Sequence, residues 1–252
     1  MDDDLMDRLT SLARSLGIVD IGVADPKAWE TDPMAASIFE SERPTSLMIG
    51  ARSVIVIGIP VQRSILATAP SAYYSEHYKT INSMLDHAAQ RIAMELNILG
   101  YEASYIPRDG YPGIEGLMRD PSSFFSHRHS AYLAGLGTFG INNMLLTEKN
   151  GPRIRFISVV TTAELPYGKP MKRKLCTECM RCNTECPADA VASEMYPKGI
   201  SEKKRCVEYS AILRKKGCSP CGRCIFVCPV GDDAGGPLPT EDAVAHVRSY
   251  TK

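Results

Sequence analysis

Two long segments of the chain place their apolar residues at helical spacing. In residues 5–16 the apolar positions recur every three or four residues, and Asp3 and Asp4 precede them as N-cap candidates. In residues 76–99 the apolar positions keep a period of about 3.6. A glycine follows each segment as a stop signal. The pattern therefore predicts two amphipathic helices.

Four shorter segments are predicted as strands, most of them rich in β-branched residues, which favour strands. The strongest, residues 53–61, is nearly continuously apolar, as expected of a central strand covered on both faces. The other three are residues 18–24, 103–106 and 155–162. With the helices, they predict an α/β (α+β) fold. Residues 108–123 and 135–151 carry few periodic signals and are expected to be functional loops.

The cysteines divide the chain by composition. All nine lie between Cys176 and Cys228, and the first 175 residues contain none. A disulfide framework would spread its cysteines over the whole fold, so this concentration predicts a local metal site. We therefore expect a body (residues 1–165), a cysteine segment (residues 166–236) and a C-terminal tail (residues 237–252).

Two cysteine runs share the pattern C-x2-C-x2-C-x3-C-P. This pattern is typical of domains with two [4Fe–4S] clusters, in which the fourth cysteine of each run ligates the other cluster. The ligands predicted for the first cluster are Cys176, Cys179, Cys182 and Cys228. The second cluster would take Cys186 together with Cys221, Cys224 and one more cysteine.

The identity of that last ligand is open. Local spacing favours Cys218, and Cys206, the ninth cysteine, is the alternative. Structural zinc is a second interpretation of the eight repeated cysteines, but it gives no use to the third cysteine of each run.

The charges balance over the chain, with 29 basic and 29 acidic residues. This excludes the global positive charge of a dedicated nucleic-acid binder. Residues 169–223 hold 13 Lys and Arg against 6 Asp and Glu, a local excess of 13 − 6 = 7. This excess would neutralise negative clusters, or form a landing surface for an acidic electron donor or, as a further alternative, for RNA phosphates.

Two features of the sequence concern location. The longest apolar run, residues 54–61, is far shorter than the ~20 residues that cross a bilayer, so no membrane partner is expected. The first residues are acidic, the opposite of the basic start of an export signal. We therefore expect a cytoplasmic protein.

Several motifs together resemble the epoxyqueuosine reductases. They are LGIVDIGVA at residues 16–24, ARSVIV at residues 51–56, AGLGTFG at residues 134–140 and the two cysteine runs, in the same order. The resemblance spans nearly the whole chain. It implies a nitroreductase-like body that binds a cobalamin, and a bacterial ferredoxin-like domain that supplies electrons through two [4Fe–4S] clusters, as in the related reductive dehalogenases.

The resemblance also implies roles for particular residues. Gly135, Gly137 and Gly140 would let the backbone approach the corrin ring, with Asn142 beside them. FMN is the alternative cofactor, because nitroreductase-like folds more commonly bind it. In the family a cysteine before the second run is a ligand, as Cys206 would be here, so the choice between Cys206 and Cys218 stays open.

The family has an acidic proton donor upstream of the glycine motif. The equivalent position here is Pro121, next to Asp120. The candidate acids are therefore Asp120, His127, His129 and Tyr132. The family's C-terminal helical repeats, which help to hold tRNA, would not fit in the 16 residues after Gly236, so nucleic acid is not expected as a partner.

These observations support two hypotheses. In the first, the protein is a corrinoid-dependent reductase of a small molecule or a modified nucleoside, and a ferredoxin or flavodoxin supplies its electrons. In the second, it is an iron–sulfur electron carrier or a reductive activator of a partner protein.

Overall fold

A computed structural model describes residues 3–109, 113–120 and 122–250. The strands are β1 (Asp20–Ala24), β2 (Ser53–Pro60), β3 (Ala103–Ile106), β4 (Thr138–Phe139), β5 (Leu145–Leu146) and β6 (Ile154–Thr161). The helices are α1 (Asp3–Ser15), α2 (Ala28–Thr31), α3 (Pro44–Leu47), α4 (Arg63–Leu66), α5 (Ala72–Ile98), α6 (Gly113–Arg119), α7 (His127–Leu133), α8 (Arg181–Thr184), α9 (Lys203–Lys215), α10 (Arg223–Phe226) and α11 (Glu241–Ser249).

Four strands form an antiparallel sheet in the order β1–β2–β6–β3. Strand β2 is buried from Ser53 to Ile59 and pairs with β6 along its whole length. Helices α1 and α5 cover one face of the sheet, and Trp29, Phe125 and α7 cover the other. Cover on both faces explains the nearly continuous apolar pattern, and the predicted central strand and mixed α/β class are confirmed.

The two predicted long helices are present as α1 and α5. Helix α5 begins earlier than its apolar period indicates, because Ser71 caps it: the Ser71 hydroxyl accepts a hydrogen bond from the backbone N–H of Tyr74 at 3.1 Å. The apolar stripe of α5 packs on the sheet, with Leu85, Ile92 and Leu96 fully buried.

The two stretches predicted as loops contain regular structure. Helix α6 lies within residues 108–123 and packs against α9, while residues 110–112 and 121 lie outside the described residues. Residues 135–151 contain the short hairpin of β4 and β5, in which Thr138 pairs with Leu146. The expectation of irregular chain was wrong for these elements, because two helical turns and two-residue strands are too short to show a period.

The cysteine segment follows β6, and the chain then returns to the body. Helix α11 packs near α5, and the Arg248 guanidinium donates hydrogen bonds to the carbonyl oxygens of Ala67, Thr68 and Ala69. The C-terminal residues therefore add a helix to the body side of the molecule. Over the described ranges, no helix combines the length and the apolar character needed to cross a bilayer.

Candidate metal centres and the adjoining basic cluster

The ligands predicted for the first cluster line a single cavity. Its wall is formed by Cys176, Cys179, Cys182 and Cys228 of the cysteine segment and by Ile141, Asn142 and Leu146 of the body. Burial, followed by the thiols of Cys228, Cys176 and Cys179, raises the pKa of Cys182 to about 11. One thiol of the second run thus joins three of the first, as the crossed pattern predicts.

A second group of thiols surrounds Cys224. Burial raises the pKa of Cys224, and the thiols of Cys206, Cys221, Cys182 and Cys186 raise it further. Cys206 interacts with Cys186 in the same way. The fourth cysteine of the first run therefore lies with thiols of the second run and with the thiol that α9 provides.

Cys218 has different surroundings. Its side chain is only 3% exposed, and its thiol donates a hydrogen bond to the carbonyl oxygen of Leu213 at 3.4 Å. Its own backbone N–H also bonds to that carbonyl, which ends α9 in a tight turn. Cys206, and not Cys218, is thus among the thiols that raise the pKa of Cys224.

The nine cysteines are unpaired. In the part of the chain that the structure describes, no three His, Cys, Asp or Glu side chains are arranged to hold a single metal ion. The thiols of the first group border a cavity instead of converging on one point. A multi-iron cluster needs such an arrangement, since each thiolate binds a different iron atom.

The two runs differ in their contact with the body. Around the first run, Thr177, Glu178, Cys179 and Arg181 are exposed. Every residue of the second run from 219 to 224 is at least half-buried, and Ile225 belongs to the hydrophobic core. The first run therefore faces solvent, and the second run faces the body.

Arg153 fastens the second run to the body. Its side chain is 0% exposed, and its guanidinium donates to the carbonyl oxygens of Ile225 at 3.3 Å, Cys228 at 2.9 Å and Val230 at 2.6 Å. Because Cys228 also belongs to the first group, this one side chain supports both groups. The sequence interpretation missed Arg153, which precedes β6 and carries no motif of its own.

Two asparagines connect the turn after the glycine motif to the cysteine segment. The Asn142 amide donates to the carbonyl oxygen of Cys224 at 3.3 Å, and its oxygen accepts from the backbone N–H of Met144. The Asn143 amide donates to the Gly199 carbonyl at 3.0 Å, and its oxygen accepts from the Ser201 N–H at 2.7 Å. Asn142, predicted to bind a cofactor, thus binds the backbone of the second run.

The glycines of the motif are explained by contacts within the chain. A Cβ on Gly135 would lie 2.4 Å from the carbonyl oxygen of Lys169, and one on Gly137 would lie 2.1 Å from that of Leu146. A Cβ on Gly140 would lie 2.7 Å from the Leu146 side chain. The approach of a corrin ring is therefore not needed to account for these glycines, and their part in cofactor binding stays a prediction.

The two candidate histidines are held neutral by their surroundings. Burial lowers the pKa of His127 to about 4, and its ring nitrogens bond to the Pro107 carbonyl at 3.1 Å and the Ser158 hydroxyl at 3.0 Å. Burial, then Arg128, lowers the pKa of His129 to about 4. The His129 ring bonds to the hydroxyls of Ser126 at 2.7 Å and Tyr196 at 2.8 Å. His127 thus bonds within the body, and His129 also connects the body to Tyr196 of the cysteine segment.

The other two candidate acids reach solvent. Asp120 is exposed at the end of α6, and its carboxylate accepts from the backbone N–H of Ser122 at 3.1 Å. Tyr132 is half-buried, and burial followed by the charge of Asp32 raises its pKa. The i, i+2 spacing puts His127 and His129 on different sides of α7, while the His129 and Tyr132 rings both contact Phe139. Pro121 lies outside the described residues.

A basic cluster, which we define as Arg128, Arg155 and Lys203, is centred on Arg128, on which Cys224 also acts. Burial lowers the pKa of Arg128, and the positive charge of Arg155 lowers it further. Tyr196 and Cys224 act in the opposite direction and raise it. Burial, then Arg128, lowers the pKa of Lys203. Arg128 donates to the Asn143 carbonyl, and neither Arg128 nor Lys203 forms an ion pair with another described residue.

Arg155 is the third member of the basic cluster. It lies over the Tyr78 ring, 4.2 Å from the centroid, and 3.6 Å from the Asp109 carboxylate. The sequence interpretation selected the two histidines beside Arg128 because they titrate near neutrality and passed over Arg128, whose partners come from distant parts of the chain. The cluster as a whole can hold an anionic group next to the second run.

The fold and the site define a mixed α/β body joined to a segment that carries two four-thiol groups. No protein-family model matches the chain. A tetrachloroethene reductive dehalogenase of Desulfitobacterium hafniense is 35% identical over 150 residues, which are 58% of this chain and 25% of that protein. An epoxyqueuosine reductase of Pseudomonas aeruginosa is 26% identical over 227 residues, 79% of this chain and 58% of that protein.

Solved structures share the fold. A reductive dehalogenase described with a mechanism for B12-dependent dehalogenation has a TM-score of 0.64 and 19% identity, over 97% of this chain and 33% of that one. An epoxyqueuosine reductase bound to an epoxyqueuosine-modified tRNA stem loop has a TM-score of 0.61 and 18% identity, over 90% of this chain and 65% of that one.

The chain is therefore similar in sequence to epoxyqueuosine reductases and reductive dehalogenases, which confirms the predicted resemblance. It spans a quarter of the length of the curated dehalogenase and 58% of that of the curated reductase.

Proposed function

We propose that the protein is a reductase in which two [4Fe–4S] clusters deliver electrons, one at a time, to a corrinoid held on the body. The observation that carries this proposal is the grouping of the thiols. One group lines a cavity with three thiols of the first run and one of the second, and the other combines thiols from both runs with Cys206. We assign Cys206 as the fourth ligand of the second cluster, because Cys206 is among the thiols that raise the pKa of Cys224, whereas the Cys218 thiol is hydrogen-bonded to Leu213.

The residues beside the second group suit a cofactor with a phosphate. Cobalamin and FMN both carry one. Arg128 and Lys203 are cations that form no ion pair with a described residue, although the charges of Glu42 and Asp120 favour the charged form of Lys203. These two side chains would hold the phosphate. When bound, a cobalamin supplies the low-potential metal chemistry of such reductions.

Protons would come from the solvent side of the site. Asp120 faces Lys203, whose positive charge it stabilises, and Tyr132 is half-buried on α7. His127 and His129 are not proposed as donors, because both nitrogens of each ring already have hydrogen-bond partners in the protein. Their role is to fix α7 and thereby the position of Arg128 between them.

The candidate classes of substrate are taken from the names of the relatives. A halogenated organic molecule and a modified nucleoside are the two candidates, given the relatives named above. The tRNA stem loop bound by one solved relative weakens the expectation that nucleic acid is not a partner. We therefore propose a small organic group as substrate, either free or as part of a nucleic acid, and a cytoplasmic location.

The test begins with the metal content. Anaerobically reconstituted protein should contain about eight iron and eight sulfide per chain. About two zinc ions per chain, with no visible absorption, would contradict the cluster assignment.

The same preparation then decides the cofactor. Isothermal titration with cobalamin, and separately with FMN, should show binding of cobalamin by the wild type. Arg128→Gln should weaken that binding about tenfold, the cost of one charge-assisted hydrogen bond, at unchanged iron content. Arg91→Gln, on the exposed face of α5, is the matched control. Binding of FMN alone would assign flavin chemistry, and binding of neither would favour the electron carrier.

A further inference from the structure

A row of unpaired basic side chains borders the first cysteine run. Lys169, Lys172 and Lys174 precede the run, and Arg181 lies within it; all four are exposed. None of the four forms an ion pair with another described residue. We name these four side chains the entry face.

The acidic residues nearby do not cancel this charge. Glu148 pairs with Arg173, and Glu185 pairs with Arg223. Glu178 is the one carboxylate within residues 169–182. Four uncompensated cations against one carboxylate therefore give the entry face a net positive charge.

The backbone under the entry face is fastened to the body at both ends. The N–H of Gly168 donates to the Val23 carbonyl at 2.8 Å, and the N–H of Leu175 donates to the Thr138 hydroxyl at 3.0 Å. Gly135 leaves space for the Lys169 carbonyl, which a Cβ there would meet at 2.4 Å. These contacts fix the backbone of the basic segment against the body, which reduces the entropy cost of binding a partner to it.

We infer that the entry face is the docking site of a small acidic electron-carrier protein, which reduces the first cluster through the exposed loop around Cys179. This inference rests on the cluster part of the proposed function. It adds where the electrons enter and what charge the donor carries. The loop of the second run offers no such route, because it is packed against the body.

An acidic protein fits these observations better than RNA does. The chain as a whole has no net charge, so the wide positive field that guides RNA binding is missing. The entry face is small and adjoins the thiols of Cys176 and Cys179, where an electron donor has to approach. Charge complementarity at such a face acts mainly on the association rate.

The test follows cluster reduction directly. Cluster-loaded protein is mixed anaerobically in a stopped-flow instrument with a pre-reduced acidic flavodoxin, and bleaching of the clusters is recorded without cobalamin or substrate. Lys172→Glu/Lys174→Glu should slow the second-order reduction about tenfold or more at low ionic strength and reduce its salt dependence. Lys172→Gln/Lys174→Gln should give a smaller decrease in the same direction.

Matched controls separate docking from other effects. Arg14→Glu/Arg91→Glu changes the net charge by the same amount as Lys172→Glu/Lys174→Glu, but on α1 and α5, which cover one face of the sheet. This control should leave the reduction rate within about twofold of the wild type. The methyl viologen radical cation should reduce the Glu variants of the entry face at least as fast as the wild type.

Three results would overturn the inference: an unchanged rate in Lys172→Glu/Lys174→Glu, an equal decrease in Arg14→Glu/Arg91→Glu, or slow reduction by viologen as well. Binding of a tRNA stem loop that the entry-face variants abolish, with flavodoxin reduction unaffected, would assign the face to RNA. Because cobalamin is absent from the assay, a failure of the corrinoid part of the proposed function leaves these results interpretable.

Discussion

The two cysteine runs have the same spacing and opposite surroundings. In the first run, Met180 stands in the left-handed region at φ 61° and begins a short helix. In the second run the equivalent residue is Gly222, at φ 70° and at the start of the equivalent helix. A Cβ on Gly222 would lie 2.7 Å from the Tyr74 ring and 2.9 Å from the Leu66 side chain.

This difference shows how one pattern serves two tasks. The repeated spacing fixes the local loop that presents three thiols, and the left-handed residue is part of that loop. The residues between the thiols decide where the loop can lie. A bulky residue is compatible with the solvent side, and glycine is required where the loop touches α4 and α5. We therefore propose that electrons enter at the first run and pass from the second run to the cofactor on the body.

The largest effect should come from the clamp on the second run. Arg153→Met keeps most of the side-chain volume but leaves the carbonyls of Ile225, Cys228 and Val230 without their donor. We expect a loss of about 3 kcal/mol or more in the free energy of unfolding, and a loss of iron from both clusters. Chemical denaturation and iron analysis measure the two effects.

The matched control for this clamp is Arg173→Met. Arg173 forms an exposed ion pair with Glu148 next to the first run, and such pairs contribute at most about 1 kcal/mol. Equal destabilisation by the two substitutions would contradict the distinction between a body side and a solvent side.

A smaller effect is expected from Gly222→Ala. The added Cβ would collide with Tyr74 and Leu66, and the residue would have to keep a positive φ. We expect a destabilisation of about 1–3 kcal/mol, with iron lost first from the second cluster. Denaturation and the spectrum of each cluster are the readouts. A Gly222→Ala protein as stable as the wild type would show that the contact with α4 and α5 is loose.

The smallest effect is expected in the first run, at the equivalent position. Met180→Gly relieves the left-handed strain of a non-glycine residue but increases the freedom of the unfolded chain. These effects nearly offset each other, so the free energy of unfolding should change by less than about 1 kcal/mol, in the stabilising direction. Thermal unfolding measures it, and a marked loss of stability would mean that the Met180 side chain is needed for packing.

The sequence allowed the two long helices, the four strands of the main sheet and most of the thiol grouping to be predicted. Strand β2 and helix α5 are long enough for their apolar period to be read, and the doubled cysteine pattern specifies which thiols of each run lie together. The role of Arg153 could not be predicted, because its partners lie more than 70 residues away along the chain. The role of Gly222 could not be predicted, because its neighbours lie on α4 and α5. Local spacing also could not choose between Cys206 and Cys218, since the choice depends on how α9 packs and ends.

The close neighbours of the glycine motif also could not be identified from the sequence. The sequence indicated that Gly135 and Gly137 stand where backbone must come near something else. It could not show that the neighbour is the chain's own backbone at Lys169 and Leu146. The arginine between the two histidines was overlooked for a similar reason, because its basic neighbours come from β6 and α9.

The most direct test of the account is the iron content of two single variants. Cys218→Ser should retain about eight iron per chain, because the Cys218 thiol is bonded to Leu213 outside both groups. Cys206→Ser should retain about four, and the remaining cluster should be the one bound by Cys176, Cys179, Cys182 and Cys228. The opposite result, with iron halved by Cys218→Ser and complete in Cys206→Ser, would contradict the assignment of the second cluster.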